Sequence, residues 1–548
     1  MPRTPRSATT HKAGDADQSL LQLAPAGGEH LPIGLLETWL WDAACAIRGA
    51  TDAPKFKDFI LPLVFYKRLS DVFDDEFAEQ VTAFGDADLA RRIVEDDHAD
   101  ALKDNRPPMV RFYIPADYRW AVLRRHAADG TLGEAVTTAM REVARLNPDL
   151  QGVLDVKDYN ERQSGQRTLD DDRLGLLIEV ISRHRLGLRN TEPDVLGRAY
   201  EYLLRKFAEG QGQSAGEFYT PQEVGQLMAE LLDPSPHSHV YDPTCGSAGL
   251  LIKMRQVYAA HHPDQPGQAP QLHGQELNPV TFAMAKMNGF LHNYSDSRFM
   301  IGDTFLKPGF AAQGAGLRRF RYVVANPMWN QGNYNEAMYE NDRWGRFVYG
   351  TPPGGSADWG WVQHILASLD PAGRAAVVLD TGAVSRGSGG KGANRERDIR
   401  RAVVEADLVE AVVLLPDNLF YNTSAPGIIL LLNRAKAAGR QGEILLINAS
   451  LHFLKGKPKN ALTPAGIAAV VAAYRAWETQ PKLSRRVTLD EVRATDYNLS
   501  PSQFVAVSDE AQHRPLPIIL ADLDAARIVR ETADAELAAL LGRMGLTN

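Results

Sequence analysis

The sequence predicts an α/β fold with a seven-stranded, mostly parallel sheet, preceded by an all-α domain and followed by C-terminal helices. Three observations favour this class. Between about residues 210 and 450, short apolar runs alternate with helix-length intervals, as expected of strands joined by helical crossovers. Residues 31–208 and 451–548 instead carry apolar residues at helical spacing. With 44% hydrophobic residues in 548 positions, the chain can bury cores of this size.

Composition and charge exclude several classes of protein. No apolar run approaches the roughly 18 residues of a membrane span, and the polar first 30 residues lack the apolar stretch of a signal peptide. Two cysteines, Cys45 and Cys245, are too few for a disulfide framework. We therefore expect a cytoplasmic protein without a membrane partner. The formal net charge of −8 argues against coating nucleic acid by charge alone, but a nucleic-acid enzyme with a basic partner stays possible.

The N-terminal part is expected to be helical after a disordered tail at residues 1–30, which are small and polar without periodicity. The first helix of the domain, residues 31–208, has one apolar face at i, i+3, i+4, i+7: Leu36, Trp39, Leu40 and Ala43. Segment Phe59–Phe73 repeats the pattern, with Lys67 and Arg68 at polar positions. Further helices are predicted at Leu174–Leu186 and Val195–Phe207.

Seven strand-length apolar runs define the α/β domain, residues 209–450, which opens with a small-residue loop at Gly210–Gly216. The predicted strands are His239–Tyr241, Gln271–Gly274, Arg298–Ile301, Tyr322–Ala325, Ala375–Leu379, Leu408–Leu415 and Ile428–Leu432. Residues 451–548 return to helical patterns. Two apolar faces recur there at i, i+3, i+4, i+7: Leu516, Ile519, Leu520, Leu523 and Leu537, Leu540, Leu541, Met544.

The first candidate site follows the first predicted strand. Segment Val240–Gly249 is typical of a strand that ends in Asp242 and of a turn that opens a helix. Ligands of open α/β sheets bind at the carboxyl ends of strands, and Gly246 and Gly249 let the backbone approach a ligand closely because they lack a Cβ. The spacing matches neither GxGxxG nor a P-loop. Tight packing is an equally good explanation of the turn alone.

Acidic residues also end the next two strands. Glu276 ends the second, and Asp303, followed by Thr304, comes after the third. An ionised carboxylate only accepts hydrogen bonds, so Glu276 suits two vicinal ribose hydroxyls; a solvated surface glutamate is the alternative. Three successive acidic strand ends favour a nucleoside-containing cofactor over coincidence.

A fourth signal follows the fourth strand, at Asn326-Pro327-Met328-Trp329. The amide oxygen of Asn326 and the Pro327 carbonyl can both accept hydrogen bonds from one exocyclic amine, which favours the pyramidal, nucleophilic geometry of a transition state. Trp329 can stack on the ring that carries this amine. The alternative is a proline turn beside a buried tryptophan, and only the cofactor turn upstream favours the chemical interpretation.

The order Glu217-Phe-Tyr-Thr-Pro221, Asp242–Gly249 and Asn326–Trp329 resembles the amino-methyltransferases of DNA. It is most similar to the modification subunit of type I restriction–modification systems, an S-adenosylmethionine-dependent N6-adenine methyltransferase. Five further segments resemble the same family: Phe65–Asp71, Ala357–Trp361, Gly373–Leu379, Leu415–Pro426 and Tyr497–Ser500. The resemblance covers most of residues 30–505 and implies a Rossmann-like methyltransferase domain.

Carried over position by position, the resemblance implies a role for each site residue. Residues 217–222 would lie over the cofactor, Thr220 near its methionyl carboxylate; the turn after Asp242 would surround the methionine moiety. Glu276 would bind the ribose, and Asp303 and Thr304 the adenine ring. The implied cofactor-binding set is Glu217, Phe218, Tyr219, Thr220, Pro221, Gln222, Asp242, Thr244, Gly246, Ser247, Ala248, Gly249, Glu276, Asp303 and Thr304, and the catalytic set is Asn326, Pro327 and Trp329.

One position departs from the family pattern. The tetrapeptide is usually Asn-Pro-Pro followed by Phe or Tyr, and here Met328 replaces the second proline. The acceptor carbonyl of Pro327 is kept, whereas the φ angle that a proline at 328 would fix is no longer restricted.

Other polar segments have two interpretations each. Gly387–Gly392 precedes Arg395, Arg397, Arg400 and Arg401, which suits a basic loop facing phosphates or an ordinary solvated loop and helix start. Lys455, Lys457 and Lys459 suggest DNA contact less strongly. The histidines form no HExxH or Cys/His set, so no metal site is predicted.

The resemblance implies a site-specific enzyme that methylates an adenine flipped out of double-stranded DNA. Residues 451–548 contain no evident module for reading a base sequence, so a separate DNA specificity subunit is expected, docked on this C-terminal helical region; packing of these helices onto the chain's own N-terminal helices is the alternative. A restriction (translocase/nuclease) subunit and a second copy of the chain would be further partners.

Two other functions stay open at this point. The amide-accepting pocket also suits the side-chain amide of a protein glutamine, although the large helical flanks favour an assembly. The chain could also bind S-adenosylmethionine as a scaffold that is weakly active or inactive because of Met328.

Overall fold

The structure is a computed structural model, and it describes residues 31–49, 56–191, 199, 202, 203, 220–507 and 516–543, except for a few positions inside these ranges: 105, 129, 156, 164, 165, 293, 295, 313–315, 333, 335, 421, 422 and 458. The predicted tail at residues 1–30, the loop Gly210–Gly216 and most of the predicted helix Val195–Phe207 lie outside the described residues.

The chain divides into two compact units. Unit 1 comprises Met1–Thr220 and Pro234–Phe310, and unit 2 comprises Pro221–Asp233 and Ala311–Asn548. The domain boundaries predicted after residues 30, 208 and 450 stay predictions.

Sixteen α-helices occur among the described residues: α1 Ile33–Ala46, α2 Phe56–Phe84, α3 Ala87–Asp104, α4 Trp120–Leu123, α5 Leu132–Leu146, α6 Asp171–Ile181, α7 Gln222–Leu232, α8 Gly249–His261, α9 Pro279–Leu291, α10 Glu336–Glu340, α11 Asp358–Ser368, α12 Arg395–Glu405, α13 Pro464–Ala476, α14 Leu489–Ala494, α15 Pro501–Phe504 and α16 Leu516–Arg543.

The described residues also form thirteen strands: β1 Arg162–Gln163, β2 Gln166–Arg167, β3 His239–Asp242, β4 Gln271–Glu276, β5 Arg298–Ile301, β6 Phe320–Ala325, β7 Leu369–Asp380, β8 Val409–Leu414, β9 Gly427–Asn433, β10 Glu443–Asn448, β11 Phe453–Leu454, β12 Ala461–Leu462 and β13 Ser484–Thr488. Strands β3 to β9 are the seven predicted ones, so the predicted α/β class is confirmed.

The helical half of unit 1 packs around one apolar core. The predicted face of α1 is buried throughout: Leu36, Trp39, Leu40 and Ala43. Helices α2, α5 and α6 supply most of the other core side chains, and Met284 and Met287 of α9 join the same cluster. Because α9 follows β4, the helical core is continuous with the layer that covers the strands of this unit.

The predicted polar positions of α2 are not on a solvated face. Lys67 and Arg68 are both buried. Lys67 forms an ion pair with Asp71, and Arg68 donates hydrogen bonds to the carbonyls of Leu186 and Gly187. Buried charges occur where such partners offset the loss of hydration, and helical periodicity alone does not reveal partners that lie so far along the chain.

Three strands of unit 1 bring the predicted acidic strand ends together. Strands β3, β4 and β5 are parallel neighbours in that order. In register, Asp242 pairs with Gly274 and Glu276 pairs with Ile301. Helices α8 and α9 make the crossovers that parallel neighbours require. The carboxyl ends of the three strands therefore lie along one edge.

Six strands of unit 2 pair in the order β6, β7, β9, β8, β10, β13. Strands β6 and β7 are parallel, whereas β9 runs antiparallel to both of its neighbours. This reversal has a local cause: β8 and β9 are joined by residues 415–426, whose described part contains no helix, and antiparallel neighbours need no helical crossover. Sequence analysis missed β10 and β13.

The C-terminal region is less helical than expected. Besides α13 to α16 it contains β11, β12 and β13, and β13 pairs antiparallel with β10 at the edge of the sheet. The two predicted apolar faces lie on one continuous helix, α16, except for Met544, which is outside the described residues. No described helix is long and apolar enough to cross a membrane.

Candidate active site

The turn between β3 and α8, in unit 1, is the candidate cofactor site. The Asp242 carboxylate is buried and accepts a hydrogen bond from the Thr244 amide at 2.9 Å. Gly246 and Ala248 both have positive φ angles, +54° and +69°. A positive φ is uncommon for a residue that carries a Cβ, as Ala248 does, and such conformations cluster at functional sites.

Glu276 braces this turn from the neighbouring strand. Its Oε2 accepts the Gly246 amide at 3.0 Å, and its Oε1 accepts the Asn278 amide at 2.8 Å. A carboxylate has about four acceptor positions, so these two bonds are compatible with the predicted bonds to ribose hydroxyls. Glu276 thus orders the backbone of the turn, a role that the sequence did not reveal.

The third strand end is attached to the same turn. The Asp303 carboxylate accepts the Phe305 amide at 2.8 Å and so shapes its own loop. The Thr304 hydroxyl donates to the Pro243 carbonyl at 2.7 Å and is buried. Asn288 of α9 donates to the Ser247 carbonyl at 2.9 Å. The structure therefore brings the predicted residues of all three strand ends together in unit 1.

The electrostatics of the turn between β3 and α8 follow from burial. Burial raises the pKa of Asp242 to about 8; hydrogen bonds from Thr244 oppose the shift and the charge of Glu276 adds to it. Burial also raises the pKa of the Cys245 thiol well above its usual value. Cys245 therefore stays protonated and packs beside Gly274, where a Cβ would lie 2.7 Å from its Sγ.

The turn fits the cofactor that the sequence predicts. A Cβ at position 246 would meet no protein atom within 4 Å, so this face of the turn is open. The carboxyl groups around it can accept hydrogen bonds from hydroxyl donors, and the Glu276 carboxylate carries negative charge that suits a cation. S-adenosylmethionine presents ribose hydroxyls, an ammonium and a sulfonium.

The predicted segment over the cofactor is described only in part. Glu217, Phe218 and Tyr219 lie outside the described residues. Pro221 caps α7 at its start, and Gln222 is the first residue of that helix. The position of these residues and of Thr220 relative to a cofactor stays a prediction.

The candidate catalytic motif lies in unit 2, after β6. Asn326 and Pro327 are buried, directly beyond the carboxyl end of the strand. The indole Nε1–H of Trp329 donates a hydrogen bond to Asn326 Oδ1 at 3.2 Å. The motif is therefore a folded unit in which the tryptophan contacts the Asn326 amide, a contact that spacing alone did not predict.

Packing holds the Trp329 ring from one side. Its centroid lies 4.8 Å from that of Phe420 at an interplanar angle of 71°, an edge-to-face pair. Gly427, the first residue of β9, makes room for this pair, because a Cβ there would lie 2.8 Å from the Phe420 ring and 3.0 Å from the Trp329 ring. The glycine thus permits close packing of two aromatic side chains behind the motif.

A buried ion network anchors the segment that follows. Asn330, at φ +52°, donates its amide N–H to Asp358 at 2.9 Å and its side-chain NH₂ to Asp380. Arg386 pairs with both of these carboxylates and with Glu396. Burial raises the pKa of Asp358 to about 6, against the opposing charge of Arg386. The network fixes the position of Asn330, the residue that follows the motif.

Sequence analysis missed this network, although one signal was present. Asp380 ends β7, the strand parallel to β6, and the same argument that singled out Asp242 and Glu276 applies to it. Arg386 follows six residues later, and no periodicity marks it.

The arginines after the glycine-rich loop are mostly engaged within the protein. Arg395 pairs with Glu336 at 2.6 Å. Arg397 bonds to loop carbonyls, including that of Gly390, and Arg400 is buried against the Tyr497 carbonyl at 2.7 Å. These contacts favour the interpretation as a loop and helix start. Among the described residues, no group of three or more His, Cys, Asp or Glu side chains could hold a metal ion.

Comparisons with known proteins identify the family of the chain. The family model described as N-6 DNA Methylase matches residues 191–513, and that of the HsdM N-terminal domain matches residues 36–181. The chain is similar to the type I restriction enzyme MjaVIII methylase subunit of Methanocaldococcus jannaschii, at 39% identity over 358 residues. That alignment covers 64% of this chain but only 59% of the relative.

Two further matches cover a larger share of the matched protein. The HindI methylase subunit of Haemophilus influenzae is 31% identical over 426 residues, 72% of this chain and 90% of the relative. The solved structure of a type I restriction-modification system methyltransferase subunit from Streptococcus thermophilus is similar with a TM-score of 0.70 and 27% identity, covering 86% of this chain and 99% of that one.

Proposed function

The chain belongs to the N-6 DNA methylase family, and we propose that it is the adenine-specific DNA methyltransferase subunit of a type I restriction–modification system. The observation that carries the proposal is the Asn326–Trp329 motif at the carboxyl end of β6 in a member of this family. The MjaVIII and HindI relatives are both named as type I restriction enzyme methylase subunits, which supports the choice of system.

The cofactor of the proposed reaction is S-adenosylmethionine, which supplies the methyl group on its sulfonium. The turn at Asp242, with Glu276, provides acceptors for its hydroxyl and ammonium groups, and Asp303 lies at its adenine ring. Because the Gly246 amide is already tied to Glu276, the turn is ordered in advance, which reduces the entropy lost on binding.

The target of the proposed reaction is the N6 amine of an adenine flipped out of double-stranded DNA. Its lone pair is delocalised into the ring, so it is a poor nucleophile. Asn326 Oδ1 and the Pro327 carbonyl accept hydrogen bonds from this amine and favour its pyramidal form in the transition state. The side chains act by orientation and need no covalent intermediate.

The proposed partners follow from charge and from the family. A net charge of −8 gives little affinity for phosphates, so a separate DNA specificity subunit would supply sequence recognition and most of the DNA contact. A restriction subunit and a second copy of this chain complete the proposed complex.

The test is methylation of duplex DNA by the chain co-expressed with its specificity subunit, with N6-methyladenine measured by mass spectrometry. Asn326→Ala should lower methylation at least about 100-fold, in the range of lost transition-state donors or acceptors, and leave S-adenosylmethionine affinity unchanged. Asn341→Ala is the matched control, because Asn341 is exposed at the end of α10. Retained N6-methyladenine formation by Asn326→Ala would remove the proposal.

The same assay decides between the proposal and its alternatives. A glutamine-containing peptide methylated in place of DNA would identify a protein glutamine methyltransferase. Cofactor binding without methylation of either substrate would identify a scaffold.

A further inference from the structure

Trp329 controls which end of the Asn326 amide faces which neighbour. An indole N–H only donates hydrogen bonds, and an amide has a donor end and an acceptor end. The bond of 3.2 Å from Trp329 Nε1 to Asn326 Oδ1 therefore specifies the orientation of the amide group. The reversed amide would place two donors opposite one another.

The tryptophan can impose this orientation because its ring is itself held. Phe420 is fully buried and meets the Trp329 ring edge-to-face at 4.8 Å. The backbone of Gly427 lies against the same ring. On the other side in sequence, Asn330 is fixed by hydrogen bonds to Asp358 and Asp380. The Trp329 ring, which carries the indole N–H, is therefore held by its packing against Phe420 and by the fixed position of Asn330.

Met328 makes this constraint important. Methionine leaves its own φ angle unrestricted, unlike proline, and its side chain is only partly buried. Within the motif, the hydrogen bond from Trp329 to Asn326 spans Pro327 and Met328 and links the residues on either side of this pair. The hydrogen bond therefore restricts the conformation of the motif at Met328, where the backbone itself is less restricted than at a proline.

We propose that Trp329 is a positioning residue that keeps Asn326 Oδ1 in the orientation that accepts the target amine. This inference rests on the proposed function and gives Trp329 a role besides the predicted stacking on the base. An amide oxygen can accept two hydrogen bonds, so the bond from Trp329 is compatible with one from the amine. Without the indole N–H, the Asn326 amide can rotate and turn its NH₂ group towards the target amine. Because an amide NH₂ only donates, it cannot accept a hydrogen bond from that amine.

The sharpest test removes only the N–H group. Replacing Trp329 by β-(3-benzothienyl)alanine, in which sulfur substitutes for the indole nitrogen, keeps the bicyclic ring. If Trp329 positions the amide, kcat for N6-methyladenine formation should fall about 3- to 10-fold, as expected for one neutral hydrogen bond, while KM for DNA should stay within about twofold of the wild type because stacking is kept.

The matched control is the same replacement at Trp477, whose Nε1–H donates to Glu443 at 3.2 Å. Trp477 lies outside the motif, so its replacement should leave kcat and KM unchanged. A raised KM with unchanged kcat for the Trp329 variant would show that the ring stacks on the base and does not position Asn326. Unchanged values of both would also overturn the proposal.

A spectroscopic measurement tests the hydrogen bond without relying on activity. In protein with ¹⁵N-labelled indoles, the Trp329 signal is the one absent from the benzothienyl variant. Asn326→Ala removes the acceptor and should shift the Trp329 indole proton to higher field, and an unshifted signal contradicts the proposal. Failure of the proposed function is separate: a wild-type complex that methylates no DNA but shows this shift refutes the function and leaves the orienting bond established.

Discussion

Asp242 illustrates how one buried carboxyl couples this fold to pH. Burial raises its pKa to about 8, above the value of about 3.9 expected in an unfolded chain. Between these two values the folded state binds more protons than the unfolded state, so the contribution of Asp242 to stability falls as the pH rises.

Asp242→Asn should remove the fall in stability with rising pH, because an asparagine keeps the acceptor for the Thr244 amide without the charge. The free energy of unfolding of the variant, relative to the wild type, should increase between pH 5 and pH 8 by at least ~1.4 kcal/mol, the equivalent of one pKa unit. Urea unfolding at several pH values measures it. A difference that does not change with pH would mean that the carboxyl titrates normally.

Glu276 is predicted to support cofactor binding in two ways: it accepts hydrogen bonds from the ribose hydroxyls, and it orders the turn through the Gly246 amide. Glu276→Ala removes both the proposed hydroxyl acceptor and the brace on the Gly246 amide, and should weaken S-adenosylmethionine binding by about 1–3 kcal/mol. Glu276→Gln keeps one acceptor oxygen and should lose less. Calorimetry on the two variants tests this order, and equal affinity of Glu276→Ala and the wild type would contradict both roles.

At the scale of elements, the loop after β6 depends on an ion network. Arg386 bridges three carboxylates, of which Asp358 is fully buried. Arg386→Gln should lower the free energy of unfolding by about 3–5 kcal/mol, because it leaves a buried charge without its partner.

Two further variants make the cause of that loss identifiable. Adding Asp358→Asn to Arg386→Gln should restore part of the stability, since it removes the uncompensated charge. Arg401→Gln, at a half-exposed arginine 3.9 Å from Asp398, should cost less than about 1 kcal/mol. Denaturant unfolding that gave the same loss for Arg386→Gln and Arg401→Gln would show that the network contributes no more than a surface pair.

The sequence predicts the elements of this fold better than their pairing. Apolar runs identify β3 to β9 because buried strands need them. The sequence Ser-Arg-Arg-Val-Thr of β13 carries little apolar signal, since an edge strand covers no neighbour on one side. The acidic strand ends of β3 to β5 lie together as predicted, because parallel strands bring their carboxyl ends to one edge. The Trp329–Asn326 bond and the Arg386 network depend on side-chain packing, which periodicity does not encode.

At the scale of the whole molecule, charge and exposed apolar surface both favour assembly. The chain carries 68 acidic and 60 basic residues, which disfavours tight DNA binding by the chain alone. Helix α16 meanwhile exposes more than half of the side chains of Leu520, Leu523 and Leu537. Large apolar residues exposed along one helix are typical of a surface that binds another protein.

We expect α16 to dock the proposed specificity subunit. Its 28 residues form one continuous helix, and Leu523 and Leu537 are two heptads apart, which keeps them on one side. Deleting residues 515–548 should abolish co-purification with that subunit and spare S-adenosylmethionine binding, whose proposed residues all precede β6.

Leu523→Glu with Leu537→Glu should do the same in the full chain, because burying two carboxylates opposes docking. Arg530→Glu, at an exposed arginine of the same helix, is the control. A truncated chain that still forms the complex and methylates DNA with unchanged sequence preference would show that the subunit docks elsewhere.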